Sequence, residues 1–336
     1  MREDPSPYSE LRRDLVSGEW VLIAPTRARR KEDSQSALHR TVSPKEHCPF
    51  ENPQATGHGD PLLTFRSPRH PDTWFLQIIP NKYPGVTKGD ICPVKEQHGP
   101  FSRMEGIGFH ELLILHDHAM PIGDLISEEM DILLRALQDR YRVIAENPCA
   151  DYISIFHNWG PEGGASLDHP HLQILSLPIV PPDIEDSLLG SKRYYKKYGS
   201  CVHCEIINWE QREQERIIFE NEQAIVIAPY VSRTSYEVRI FPKVHQSYFE
   251  DATSRARLAI AEALRFTLAQ IKKKLDDPDL NFFIHTAPVH NKELWQYYHW
   301  HIEVLPRMSH LAGLELGTGI DIVVVDPKDA AALLRL

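Results

Sequence analysis

No apolar run in the 336-residue sequence approaches the ~18 residues that a membrane-spanning helix needs, so no transmembrane segment is expected. The first fourteen residues carry no apolar core, so no secretory signal is read there. Excess basic charge is also missing. The 37 Lys and Arg stand against 47 Asp and Glu, a net charge of −10. Broad binding to nucleic acid or to an anionic membrane needs a basic surface, so neither is expected. A local basic pocket for a phosphate remains open. The five cysteines do not read as a disulfide framework; Cys92 and Cys149 have no partner pattern and read as ordinary buried cysteines. A reducing, cytoplasmic compartment is the expectation. Histidine and proline, by contrast, are plentiful, at 18 and 26. That density of imidazole directs attention to metal and acid–base sites.

At ~150 residues per domain the length suggests two domains, and the patterning agrees. Residues 20–24 read as a strand stopped by Pro25 and followed by a basic loop, Arg27 to Lys31. Further strands are expected at 75–79, 111–115, 151–156 and 169–177. A helix is expected over 127–146, with apolar residues at 130, 133, 134, 137, 141 and 144. Residues 158–166 read as a loop. The proline-rich, mixed-charge stretch 178–200 reads as a crossover. The order then repeats: strands at 224–228 and 237–241, a helix at 252–275, and strands at 281–285 and 299–303. His118 precedes His169 by 51 residues, and His245 precedes His299 by 54. The expected fold is α+β: a tandem duplication, 1–190 and 191–336, of one unit built on antiparallel strands with a packed helix.

Two segments carry chemistry. In His169-Pro170-His171-Leu172-Gln173, strand alternation turns the odd-numbered side chains to one face. The preceding Gly163-Gly164-Ala165-Ser166 loop has side chains small enough for a close approach to phosphate. A histidine beside such a loop can attack phosphorus. Cys201-x-x-Cys204 has zinc-knuckle spacing, and its repeat-matched partners His245 and His299 complete a Cys2His2 set. In the first repeat the matching positions are Cys48, Glu51, His118 and His169. The second repeat lacks the glycine loop and carries Tyr230 where the first has Asn81, so it reads as a degenerate copy.

The stretch Asn158-Trp-Gly-x-x-Gly-Gly-Ala-Ser166-x-x-His169-Pro-His171-x-Gln173 resembles the active-site segment of the galactose-1-phosphate uridylyltransferase family, in the transferase branch of the histidine-triad superfamily. Residues 20–30, 79–84, 299–303 and 313–319 are similar to further segments of that family. The resemblance implies a ping-pong transfer in which His171 takes UMP from UDP-glucose and hands it to a hexose 1-phosphate such as galactose 1-phosphate. Gln173 and Ser166, with the loop amides around Gly164, would stabilise charge at phosphorus. Asn81 and Asn158 would bind the nucleotide, and Glu315 lies in a segment resembling the sugar-side loop. Arg27 and Arg30 would reach phosphates across a homodimer interface. Zinc is the implied metal. Where the family shows Cys-x-x-Cys, this chain has Cys48-Pro-Phe-Glu51. That harder ligand predicts weaker zinc binding or its loss at the first site, with His47 as a competing ligand. An ADP-glucose phosphorylase-type adenylyl transfer, which the Cys201-x-x-Cys204 and 177–182 segments resemble, is the alternative. A non-catalytic zinc scaffold is the remaining reading.

Overall fold

The computed structural model describes residues 8–30, 43–89 and 91–335, without the side chains of 28–30. One antiparallel sheet of ten strands dominates it. The first half of the chain supplies β3 (Leu63–Phe65), β4 (Leu76–Pro80), β7 (His110–Leu115), β8 (Tyr152–Trp159) and β9 (His171–Leu177). The second half supplies β10 (Ile217–Glu220), β11 (Ala224–Ile227), β12 (Val238–Pro242), β13 (Leu280–His285) and β14 (His301–Pro306). From edge to seam the halves run β3-β4-β7-β9-β8 and β10-β11-β12-β14-β13, the same order twice. The two copies meet where β8 pairs antiparallel with β13, Asn158 opposite Asn281. This is the duplicated, histidine-triad-like α+β architecture that the sequence implies.

Two long helices fill one face of the sheet. α1 (Ser127–Ala145) buries Met130, Leu133, Leu134, Leu137, Tyr141 and Ile144, the six apolar positions of its 3.6-residue stripe. α4 (Ser254–Lys274) starts at Thr253, whose hydroxyl accepts from the Ala256 amide, and buries Ala261, Leu264, Leu268 and Ile271. Leu258, three residues before Ala261 on the same spacing, is about half exposed. The inward residues of the strands, among them Ile78, Leu113, Leu172, Val226, Ile240, Ile302 and Val304, join the helices in a single core. Strand alternation sends His171 and Gln173 to the opposite face.

Smaller elements cover the edges. β1 (Glu10–Arg13), β2 (Trp20–Ile23) and β15 (Asp321–Val323) form a three-stranded sheet. It docks on the second half, where Val21, Ile23 and Val323 pack with Val231. β5 (Glu96–His98) and β6 (Phe101–Arg103) form a hairpin in the long β4–β7 connection. The stretch expected as a crossover is largely helix: α2 spans Pro182–Tyr198, begins on its own proline and ends at Gly199 with φ 72°. Residues 190 and 191 lie within it. α3 (Val202–Glu213), α5 (Gly313–Thr318) and α6 (Pro327–Leu334) complete the fold. No helix among the described residues is long and apolar enough to cross a membrane.

One expectation is overturned: Cys92 and Cys149 form a disulfide across 57 residues of sequence. Local spacing carries no sign of it. The β4–β7 connection has to fold back beside the residues that follow α1 before the two thiols meet, and only Cys149 is buried. The expectation of a reducing compartment therefore loses the support of unpaired cysteines.

The shared core gives a stability prediction. Leu134 is fully buried within it. Leu134→Ala should cost about 2–5 kcal/mol in urea unfolding with an unchanged m-value. A loss below about 1 kcal/mol would show that α1 is not held in this core.

Candidate active site and metal centres

β9 begins at His171, two residues later than expected. His169 therefore lies outside the strand, and its ring joins Cys48, Glu51 and His118 rather than the strand's surface. His171 Nδ1 lies 2.8 Å from the His169 carbonyl oxygen. A carbonyl only accepts, so Nδ1 carries the proton and Nε2 keeps a free lone pair. The edge of Phe50 packs on the ring, with centroids 5.3 Å apart. The side chain is buried, and burial lowers its pKa against the opposing bond to the His169 carbonyl. The result is a neutral imidazole with one fixed tautomer.

Gln173 stands two residues on, on the same face. Its Oε1 lies 2.8 Å from His110 Nε2. Asn81 follows β4, and its Nδ2 lies 3.2 Å from the same His110 nitrogen. The structure thus brings the two predicted residues Gln173 and Asn81 together around a histidine that the motif reading missed. The signal was faint: one histidine at the head of an otherwise apolar strand.

The glycine loop starts later than expected, since β8 runs on to Trp159. Gly163 is glycine because a Cβ there would meet the Leu280 carbonyl oxygen at 2.8 Å. Gly164 is glycine because it adopts φ +80°. The loop's own amides close its turn: Gly163 N and Ala165 N donate to the Gly160 carbonyl, and Gly164 N to the Pro161 carbonyl. These three amides are therefore not open to a phosphate, contrary to the expectation. Asn158 Oδ1 accepts from Asn281 Nδ2 at 2.8 Å, which also donates to the Gly163 carbonyl at 2.7 Å. Arg307 Nε donates to Asn281 Oδ1 at 2.5 Å. His310 lies 3.2 Å from the Glu162 carboxylate. The second half thus buttresses the first half's loop through Asn281, Arg307 and His310, none of which the motif reading selected as site residues. Glu315 lies in α5, where its carboxylate caps the helix through the Ala312 amide. Arg27 is exposed on the 3-10 turn Pro25–Arg30, and the side chain of Arg30 lies outside the described residues.

Both predicted metal sets converge. The ligand atoms of Cys201, Cys204, His245 and His299 lie within 4.8 Å of one another, as do those of Cys48, Glu51, His118 and His169. The four histidines share one arrangement. His169, His118, His299 and His245 each direct Nε2 at a backbone carbonyl, of Leu115, Ser43, Pro242 and Gln296, at 2.7–2.9 Å. Each therefore donates through Nε2–H and turns Nδ1 into its cluster. Those Nδ1 atoms lie 3.4–3.5 Å from a thiol in three cases and 2.8 Å from Glu51 in the fourth. This is how a chain orients imidazoles toward a metal ion. The donors of the second site, two sulfurs and two nitrogens, suit tetrahedral zinc, and those of the first offer one sulfur, one carboxylate and two nitrogens. Hydrogen bonding from Cys204 favours the thiolate of Cys201.

In the second half the surface equivalent to that around His171 is closed. α3 covers it, placing the buried ring of His203 at 5.1 Å from His301, which stacks on His285 at 4.8 Å. His203 and His301 are both buried there.

A family model described as "Galactose-1-phosphate uridyl transferase, N-terminal domain" matches residues 2–181, and one described as a domain of unknown function (DUF4921) matches 116–334. The chain is 32% identical to an ADP-glucose phosphorylase of Arabidopsis thaliana, over 99% of this chain and 93% of that one. It is 29% identical to a galactose-1-phosphate uridylyltransferase of Thermotoga maritima, over 97% and 98%. The crystal structure of the Arabidopsis thaliana phosphorylase with bound ADP-glucose superposes with a TM-score of 0.80 at 29% identity, covering 98% of this chain and 99% of that one. By class the protein is a nucleotidyltransferase. It belongs to the galactose-1-phosphate uridyl transferase family.

Proposed function

We propose that the protein transfers a nucleoside monophosphate from a nucleoside diphosphate glucose through a covalent intermediate on His171. The observation that carries this reading is the fixed, buried imidazole, neutral and with its Nε2 lone pair free. Nε2 attacks the α-phosphorus, an N–P bond forms, and the P–O bond to glucose 1-phosphate breaks. That leaving group departs as a phosphate anion and needs no proton, so the non-titrating Gln173 suffices beside it. The cation left on the ring is stabilised by the His169 carbonyl at Nδ1–H. An oxygen of the acceptor phosphate then attacks phosphorus, the N–P bond breaks, and His171 returns to its starting state. Gln173 and Ser166 bind the phosphoryl group, Asn81 and Asn158 the nucleoside, and Glu315 the sugar side.

The donor has two readings. UDP-glucose with galactose 1-phosphate as acceptor follows from the sequence motifs. ADP-glucose with inorganic phosphate as acceptor is favoured by the higher identity to the Arabidopsis thaliana phosphorylase over almost the whole chain. Incubation with each donor, labelled in the α-phosphate, should leave label on the protein. His171→Gly should abolish labelling and lower turnover by on the order of 10⁴-fold or more. Absence of label from both donors, or ordinary turnover in that variant, overturns the reading.

Zinc fits both clusters on the evidence of the four inward-turned Nδ1 atoms. The first site would act on catalysis by holding His169, whose carbonyl orients His171, and the second would hold the fold of the second unit. Purified protein should lose about one zinc equivalent in the Cys201→Ser, Cys204→Ser double variant. It should hold the Cys48 site more weakly against a chelator than the Cys201 site. An unchanged zinc content in the double variant refutes the assignment.

The Arg27 turn belongs to the small sheet, which docks on the second half, whereas His171 is on the first. A homodimer that carries this turn to its twin's phosphate site explains the placement. Arg27→Ala should then raise KM for the nucleotide sugar while the protein sediments as a dimer. A monomer at micromolar concentration rules this out.

A further inference from the structure

We infer that His110 is a positioning residue that fixes which end of the Gln173 amide faces the reacting phosphate; the inference rests on the nucleotidyl-transfer reading above. The polarity of this group of side chains is set by two main-chain amides, which can only donate. The Gly85 amide lies 2.9 Å from His110 Nδ1, so that nitrogen accepts and the ring proton sits on Nε2. The Tyr83 amide lies 2.9 Å from Asn81 Oδ1, so Asn81 turns its NH2 toward His110. Nε2–H and the Asn81 NH2 then meet donor to donor and make no bond. Among the described residues, the acceptor left for Nε2–H is Gln173 Oε1, at 2.8 Å.

Three orientations follow from two backbone N–H groups of the turn at residues 81–85. With its oxygen committed to His110, Gln173 has only its NH2 left to present. Among the described residues that NH2 has no hydrogen-bond partner. The Asn81 NH2 is likewise left over for a ligand. An amide free to rotate by 180° would spend part of its time with its oxygen toward an anionic phosphoryl oxygen, a repulsive contact. His110 removes that state. The turn that borders the nucleotide side is thereby wired, through one imidazole, to the amide that meets phosphorus.

The test is a double-mutant cycle with the full-length protein and whichever nucleotide sugar the wild type uses. His110→Phe should lower kcat/KM roughly 10- to 100-fold, as loss of a preorganised donor does. In a Gln173→Ala background the same substitution should cost less than about threefold further, because its target is gone. Full, additive losses would overturn the inference, since a merely structural role does not depend on Gln173. A second measurement needs no activity. Nitrogen-15 spectra of the histidine-labelled wild type, assigned by loss of one signal in His110→Phe or, should that fail to fold, in His110→Asn, should show His110 as the Nε2–H tautomer. The Nδ1–H tautomer overturns the inference whatever the kinetics show. A wild type inactive on both nucleotide sugars but carrying the Nε2–H tautomer would instead sink the nucleotidyl-transfer reading and leave the amide-orienting contact standing.

Discussion

The antiparallel pairing of β8 with β13 is the contact on which the rest of the molecule depends. It joins two five-stranded copies edge to edge, so neither inner strand is left with unpaired amides and carbonyls. The continuous sheet offers one apolar face wide enough for both α1 and α4, which also pack on each other. The same seam brings Asn281 beside Asn158 and under the Gly163 carbonyl. A loop that begins and ends in the first copy therefore takes its shape from the second. The duplication is thus more than two linked units: the second copy, closed over its own His301 by His203, supports the site of the first.

A second recurring device is the bond from an imidazole N–H to a main-chain carbonyl. Eight of the described histidines use it. Four turn Nδ1 inward to make metal-ready clusters, and His171 uses the opposite nitrogen so that Nε2 is free. The polarity of the backbone cannot be reversed, so the carbonyl fixes which nitrogen of each ring carries a proton. His169 links the two uses. Its ring belongs to the first cluster while its carbonyl holds His171, so an ion there would stiffen His171 as well. His110 is the mirror case, in which a backbone donor sets the ring and the ring sets an amide.

Much of this was readable in the residues. The helical stripe over 127–146 became α1 nearly to the residue, because six apolar side chains at that spacing leave a helix only one face to bury. The spacing of His118, His169, His245 and His299 revealed the duplication and both candidate ligand sets, since a repeat preserves order. Other features were hidden for identifiable reasons. Polar, proline-rich residues over 178–200 resemble a linker, yet Pro182 suits a first helical turn and Ile184 and Leu188 find a buried niche beside Tyr248 and Tyr298. The glycine loop reads as a source of amides for phosphate, but its turn consumes three of them.

The sequence by itself determined the periodicities, the repeat and the chemistry of the donors. These depend on residue type and local spacing, which any conformer of the chain retains. Tertiary structure alone decided the Cys92–Cys149 bond, the buttressing of the glycine loop by Asn281 and Arg307, and the meeting of His110 with Gln173. Each joins groups 26 to 123 residues apart in the chain. Contacts at that range exist only after strands pair and register is fixed, and register is set by the burial of a whole face rather than by any one motif.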